Sequence, residues 1–283
     1  MGIFRNFFRK IKLGFTRRNE NSLPYVSNEK KYGNLGEDVF FNCIKKALPD
    51  CQIKRNIIID SDEGNAEIDC LLLYQNKLFA IEIKRWKGYI SEQNGEILQR
   101  KVDKWTEEIH AKRHKSPFKQ LGRAIYLLRI QNSSRAWINS VIFFEDVSAV
   151  NIDSCNVWFN KMGDLIQYIK LNGKESNYRE AFSLFKKAVS ADYLYSSSFE
   201  KSLHCIILDE SINFKTDLGI VNRNNIMKIK IIHHWSYDGL YITLKDNSNI
   251  ILKSENLKIK VRDNGLINEY ALSKLDYIAL GER

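Results

Sequence analysis

"AEIDCLLLYQNKLFAIEIK", residues 66–84, decides how this chain is to be read. Its two apolar segments, 66–74 and 77–84, read as strands joined by a turn at "QN". Side chains at i and i+2 of a strand share a face. Glu82 and Lys84 therefore lie on one face, while Ile81 and Ile83 turn the other way into apolar packing. In the preceding strand the same alternation sets Asp69, Leu71 and Leu73 opposite Ile68, Cys70 and Leu72. Two neighbouring strands thus bring acidic groups to an edge where they can converge, with an ammonium beside them.

Working outward, "QIKRNIIID" (52–60) is a third strand, separated from the second by the turn "SDEGN". Upstream, "GNLGEDVFFNCIKKAL" (33–48) places Leu35, Val39, Phe40, Cys43, Ile44 and Ala47 on one helical face, and Pro49 ends that helix. Glu37 lies seven residues before Ile44, about 20° away around the helix, so it borders the apolar face. It can lean towards the edge that holds Asp69 and Glu82. An acid favoured by the dipole near a helix N-terminus is the competing explanation.

Further along, helices are expected over 120–130 and 161–170, a strand over 138–144, and an amphipathic helix over 178–189 that bridges to the C-terminal third of the chain. From about residue 196 the texture changes. "MKIKIIHHW", "GLYITLK", "NIILK", "LKIKV" and "LINEYAL" alternate between turn sequences "YDG", "DNSN" and "DNG", which suit hairpins. The chain therefore reads as an α/β domain followed by a smaller antiparallel β-rich C-terminal domain. Its expected divisions are an N-terminal arm and linker (1–31), a main domain (32–172), a helical connector (173–195) and the β-rich domain (196–283).

The formal net charge of +10 favours polyanionic partners, nucleic acid or an anionic membrane surface. Six Lys/Arg and no acid fall within residues 1–18, where Phe4, Phe8, Ile11 and Phe15 recur at helical spacing. Such a basic amphipathic segment suits peripheral contact with an anionic membrane or with a phosphate backbone. Packing on its own domain is the plainer alternative. Asn6 stands where a myristoylation signal after Gly2 would have Ser or Thr. No apolar run reaches the length of a membrane-spanning helix, and charges interrupt every apolar stretch near the start, against a cleavable signal peptide. The expected location is cytoplasmic, with peripheral contact at the inner face of the membrane through residues 1–18.

The five cysteines are scattered with no C-x-x-C pair, against a disulfide framework or a structural zinc site. His110 and His114 stand at i, i+4 in "HAKRH", a spacing that can bind metal but in so basic a segment reads rather as a solvated helix face.

Grouped carboxylates beside a lysine suit phosphodiester chemistry. Mg²⁺ takes oxygen ligands, commonly one or two carboxylates with water and phosphate completing the shell. Phosphoryl transfer asks for positioning and charge stabilisation, which an adjacent Lys84 can supply. A simple surface pair of Glu82 with Lys84 is the structural alternative, worth ~0–1 kcal/mol if exposed.

"GNLGED" opening a helix, then "AEIDCLLLY", "FAIEIKRWKG" and "SPFKQ" before another helix, together resemble the nuclease-related domain called NERD, of the PD-(D/E)xK nuclease superfamily. The resemblance covers roughly residues 33–150. It implies a PD-(D/E)xK-type mixed central sheet flanked by helices, and a Mg²⁺ (or Mn²⁺) dependent hydrolase acting on nucleic acid, DNA favoured over RNA. By resemblance Glu37, Asp69, Glu82, Lys84 and Gln120 match the catalytic positions, with Asp69, Glu82 and Glu37 as metal ligands. Trp86 and Gly88 match positions that shape the site. An isoleucine precedes Asp69 where the superfamily motif names proline. A nuclease of this kind would suit bacterial or mobile-element defence, or DNA processing.

Arg85, Lys87, Arg100, Lys101, Lys104, Lys112, Arg113 and Lys115 follow the candidate site closely, with Trp86 and Trp105 interleaved. The cations suit phosphates, and an exposed indole can stack on an unpaired base, although tryptophans more often belong to the core. Two classes of function remain open on these grounds. The first is a metal-dependent nuclease whose C-terminal domain reads substrate, docks a protein partner or regulates. The second is a non-catalytic module that binds nucleic acid or a partner on the same fold. Carboxylates within a basic groove repel phosphate, which favours catalysis.

Overall fold

The computed structural model describes residues 28–281 apart from 104–105, 153–155, 197–200, 217–218, 234–237, 254–256, 264 and 276. The basic segment 1–18 and its expected membrane contact lie outside the described residues. The chain divides into two compact units, 27–190 and 191–282.

The first unit opens with helix α1 (Asn28–Ala47), which begins five residues before Gly33 and takes up the end of the expected linker. Strands β1 (Gln52–Ser61), β2 (Gly64–Tyr74), β3 (Lys77–Gln93), β4 (Glu96–Val102) and β5 (Ile109–Lys115) follow. After them come α2 (Pro117–Gln131), β6 (Ile138–Asn151), β7 (Trp158–Phe159), α3 (Met162–Leu171), α4 (Tyr178–Lys187) and β8 (Val189–Ser190). The eight strands form one mixed sheet in the order β5-β4-β3-β2-β1-β8, with β6 parallel to β3 and β7 on β6. The architecture is α/β, as the alternation of segments implied.

Strand β3 organises the sheet. It runs nine residues beyond the expected end at Lys84, because each of its edges finds a partner further along. One edge carries β6 from Leu78↔Ile138 to Ser91↔Asn151. Two antiparallel neighbours share the other edge. The ladder to β2 runs from Tyr74↔Lys77 and stops at Cys70↔Ile81, and the ladder to β4 starts only at Tyr89↔Arg100. Between those ladders the strand changes partner. Gly88 makes the change, with φ +92 and a register shift against β6 on either side of it. A Cβ at Gly88 would collide with the Arg100 carbonyl, so both the backbone angle and the close approach require glycine.

The β3–β4 turn is Asn94-Gly95, with φ of 53° and 73°. This dipeptide is a strong short-range hairpin signal, because both residues tolerate the positive φ that a type I′ turn needs. The strand β5 beyond it corrects the helical reading of His110 and His114. Ile109–Lys115 pairs with β4 throughout, from Glu96↔Lys115 to Val102↔Ile109, and cross-strand bonding overrides a weak four-residue spacing.

Helices cover both faces. Leu71, Leu73, Leu78, Ala80, Ile142 and Phe144 meet Leu121 and Leu128 of α2 and Leu184 and Phe185 of α4. Cys70, Leu72, Phe79, Ile81, Val141 and Phe143 meet Phe40 and Ile44 of α1 and Leu165 and Ile169 of α3. Two buried lysines tie helix ends to the sheet. Lys54 Nζ donates to the Lys186 and Ala188 carbonyls (3.1 and 2.6 Å), and Lys77 Nζ donates to the Lys170 carbonyl (2.8 Å). Each cation satisfies orphan acceptors at the negative end of a helix dipole. Helix α4, expected as a bridge to the next domain, is thereby part of the first unit, and the division falls after Ser190.

In the second unit an eight-stranded sheet has the order β15-β14-β13-β18-β9-β10-β16-β17. These are β9 (Asp192–Ser196), β10 (Lys201–Ile207), β13 (Ile226–His233), β14 (Asp238–Leu244), β15 (Asn249–Lys253), β16 (Lys258–Asp263), β17 (Leu266–Ala271) and β18 (Tyr277–Ala279). A separate hairpin pairs β11 (Phe214–Thr216) with β12 (Gly219–Val221). All pairs are antiparallel, and the alternating Ile229, Ile231, Leu240, Ile242, Ile259 and Val261 fill the core. The expected β-rich domain therefore begins slightly earlier than residue 196, since β9 and β10 lie at the middle of its sheet. Among the described residues, no helix is long and apolar enough to cross a membrane.

Candidate active site on the open edge of strand β3

The stretch of β3 between its two antiparallel partners leaves backbone donors that no strand can satisfy. Asp69, one residue past the end of the β2–β3 ladder, supplies an acceptor: its Oδ2 takes the Ile83 N–H at 2.8 Å. The carboxylate is thus fixed against β3, next to Glu82 and Lys84. By the register of β3 with β6, Glu82 and Lys84 stand beside Ile142 and Phe144, on the sheet face that α2 covers.

Lys84 Nζ donates to Glu82 Oε1 at 2.5 Å, with side-chain exposures of 23% and 11%. That burial excludes the surface-pair reading, in which both heads would be in water. Burial works to lower the Lys84 pKa, but the charges of Glu82, Asp69 and Glu67 and the hydrogen bond that Lys84 donates to Glu82 outweigh it, so the ammonium is held above its ordinary value. Lys84 is therefore a cation throughout the neutral range. Any stability it lends is complete below the ordinary lysine pKa and is lost only as pH rises through the raised one. Glu67, exposed and two residues before Asp69, adds to this negative field, and the sequence reading passed over it. Its signal was the spacing Glu67-x-Asp69, which repeats that of Glu82-x-Lys84.

Asp69, Glu82 and Lys84 are thus brought together. Glu37 lies in α1, but its side chain is outside the described residues. Among the described residues no group of three His, Cys, Asp or Glu is close enough to hold a metal ion. Asp69 and Glu82 still offer the all-oxygen, carboxylate donor set that suits Mg²⁺ or Mn²⁺, so the residues present fit such an ion. Gln120 sits in the first turn of α2, after the Ser116 cap and Pro117, with its side chain exposed.

Beyond the site, the register of the β4–β5 hairpin sorts the basic residues by face. Lys101 opposes His110, Gln99 opposes Lys112 and Ile97 opposes His114, so these six share a side. Ile97 packs in the same core as Phe144, which identifies that side as the one bearing Lys84. Arg100, Arg113 and Lys115 project from the opposite side, where Arg113 pairs with Glu96 at 3.3 Å. Arg85 also turns away from Lys84, to Glu145 at 2.8 Å and Asp146 at 3.6 Å. The Arg85–Glu145 contact is an ion pair off the N–H direction rather than a linear hydrogen bond. Lys87 is exposed, and Lys104 and Trp105 lie outside the described residues.

Trp86 is a packing residue. Its ring stacks on the His114 imidazole, with centroids 4.3 Å apart and planes inclined by 20°, and leans on Phe144. Gln99, buried, donates its amide to the Lys87 carbonyl at 2.8 Å and meets His114 Nε2 at 3.0 Å. With the amide oriented by Lys87, Gln99 Oε1 accepts, and Nε2 is the protonated ring nitrogen. Burial, then Lys112, Lys101 and Lys84, push the His114 pKa down, consistent with a neutral ring. Gln99 and His114 thus bind the hairpin to the exit of β3. Neither was singled out for this role from sequence, because it depends on the pairing of β3, β4 and β5.

Against known proteins, residues 32–145 match the model of the NERD family, described as a nuclease-related domain. No curated protein and no solved structure matches the chain. The matched span contains Asp69, Glu82, Lys84, Gln120 and the whole basic hairpin, and it agrees with the resemblance drawn from the motifs over 33–150. Residues 32–145 of this chain are accordingly similar to the nuclease-related domain called NERD.

Proposed function

We propose that this chain hydrolyses nucleic-acid phosphodiester bonds, DNA in preference to RNA, at a metal-dependent site of the PD-(D/E)xK type. The observation that carries the reading is the convergence of Asp69, Glu82 and Lys84 on the open edge of β3, on the face that also bears Lys101 and Lys112. Asp69 and Glu82 would hold Mg²⁺ or Mn²⁺, with Glu37 the candidate third carboxylate. The ion, when bound, polarises the phosphate and favours ionisation of a water. Lys84, ammonium in form, hydrogen-bonds a non-bridging phosphate oxygen or the attacking water and offsets charge that grows in the transition state. Lys101 and Lys112 grip the flanking phosphates. Gln120 stands as a substrate-contacting candidate at the start of α2. The β-rich unit is the candidate substrate reader, partner dock or regulator, and residues 1–18 the candidate membrane or phosphate contact. Defence against foreign DNA and a cytoplasmic setting belong to this proposal.

The test is cleavage of labelled DNA and RNA by the full chain with Mg²⁺, Mn²⁺ or EDTA, paired with Mn²⁺ calorimetry. Products that need metal, vanish with EDTA and form faster from DNA are expected. A folded protein that neither cuts nor binds Mn²⁺ would instead be a binding module.

The hairpin supplies a finer expectation. Lys101→Ala with Lys112→Ala should lower the slope of log affinity against log salt by roughly 1.4–1.8, the release of about two counterions. Arg113→Ala with Lys115→Ala, on the other side, should leave that slope within roughly 0.5 of wild type. Filter binding of a DNA oligonucleotide across a salt series reads both. Equal changes in the two pairs would remove the face assignment.

A further inference from the structure

The C-terminal end of α2 borders a cleft of about 430 Å³, closed on its other side by α4. It stands apart from the candidate active site, since the N-terminal turn of α2 is the end that sets Phe118 against Phe144 beside Lys84. Arg179, Ser183 and Lys187 recur every fourth residue and form one stripe along α4. Arg135 and Ser133 face them from the α2–β6 connection. Glu180 is the one carboxylate among the lining residues.

Three exposed cations around one cleft repel each other. Among the described residues none of the three has an ion-pair partner, whereas Arg55, Arg85, Arg113 and Arg223 are all paired. Arg179 also stands in the first turn of its helix, where the dipole disfavours a cation. Stability therefore does not account for the arrangement. The walls are fixed without these side chains. Asn177 caps α4 by accepting the Arg179 and Glu180 N–H groups at 3.0 and 3.3 Å. Ser133 holds a left-handed turn, φ 48°, with its N–H on the Ile130 carbonyl at 3.0 Å. With those amides occupied, recognition falls to guanidinium, ammonium and hydroxyl groups, the set that binds phosphate oxygens.

We propose that this cleft is a binding site for a phosphorylated small molecule of nucleotide size. Its volume lies within the ~300–1,000 Å³ of ordinary ligand pockets. Arg135 and Arg179 offer planar forks from opposite walls, Lys187 a third charge, and Ser133 and Ser183 hydroxyl donors. The site stands independently of the nuclease reading.

The experiment is calorimetry and thermal shift on the full chain with inorganic phosphate, a nucleoside triphosphate or a short single-stranded oligonucleotide. The Lys84→Met background separates this cleft from the active site. The triphosphate should bind wild type and Lys84→Met alike and raise both melting temperatures. Arg135→Gln/Arg179→Gln/Lys187→Gln should weaken it by about tenfold or more. A control with the same charge loss elsewhere, Lys45→Gln/Lys46→Gln/Lys245→Gln, should stay within about twofold. All six substitutions are at exposed positions, and circular dichroism checks the fold of both variants. Equal weakening in the two triples, an unaffected cleft triple, binding of the oligonucleotide alone, or no binding of any probe would each overturn the proposal.

Discussion

Asp69→Asn should reduce metal-dependent cleavage by on the order of 10³-fold and leave stability close to wild type. Asparagine keeps a side-chain carbonyl at the place of Oδ2, so the Ile83 N–H retains its acceptor. What disappears is the negative charge needed to hold a divalent cation. Asp69→Ala removes the acceptor as well, and an unsatisfied backbone donor at the site costs about 1–3 kcal/mol in addition. Comparing the two variants separates the strand-capping role of Asp69 from its electrostatic role. Lys84→Met, which keeps the length of the aliphatic stem, should lower cleavage by about 10²–10³-fold, the usual loss for one charged donor to the transition state. Mn²⁺ calorimetry gives a readout independent of turnover: binding should vanish in Asp69→Asn and persist in Lys84→Met. Full activity in Asp69→Asn would refute the site.

In the β-rich unit, Asp192→Ala should destabilise by about 3–5 kcal/mol, the usual penalty for breaking a buried pair by removing one member. Asp192 is fully buried and accepts from the Ile207 N–H at 2.7 Å, the Gly281 N–H at 2.8 Å and the Arg223 guanidinium. Arg223, 7% exposed, also donates to the Gly281 carbonyl at 3.1 Å. One carboxylate therefore joins β9, the end of β10, the turn at 223–225 and the chain after β18. Its loss leaves a buried cation and two amide donors without their acceptor. Asp192→Leu with Arg223→Met should recover most of the loss, since it removes the charges together. Hydrogen exchange over 201–279 measures this locally, where a global transition of a two-unit chain would blur it. Unchanged protection in Asp192→Ala would show that the pair contributes little.

Much of the first unit was legible because its signals are local. The alternation of 70–73 and 77–84, the helix over 33–48 and the Pro49 stop each depend on neighbours within a few residues. The buried face of that helix is instead Phe40, Phe41, Ile44 and Leu48, with Val39 and Cys43 exposed, and Ile68 packs with Leu71 and Leu73 rather than with Cys70 and Leu72, because the packing partners decide which side is covered. The hairpin at 94–95 was equally local, marked by Asn-Gly, but the basic texture of "QRKVDKW" and "HAKRHK" hid the strands around it. Both are poor in the alternating apolar residues that usually betray a half-buried strand, because β5 is an edge strand exposed along nearly its whole length. The sorting of the cations had the same cause. A run of positive residues has one charge in sequence, but in paired strands it has two faces, and only the register tells them apart.

By itself the sequence determined that Glu82 and Lys84 share a face, that Asp69 lies one turn and one strand away, and that the motifs resemble a nuclease-related domain. Tertiary structure decided the rest: that β3 continues to Gln93, that it exchanges β2 for β4 at Gly88, and that Asp69 caps the edge left open between them. Tertiary structure also engaged Arg85 with Glu145 and stacked Trp86 on His114, contacts that no local spacing announces. Periodicity is set by covalent geometry and is visible within a few residues. Which strand edge stays open depends on hydrogen bonds between segments far apart in the chain, and no short stretch of sequence contains that information.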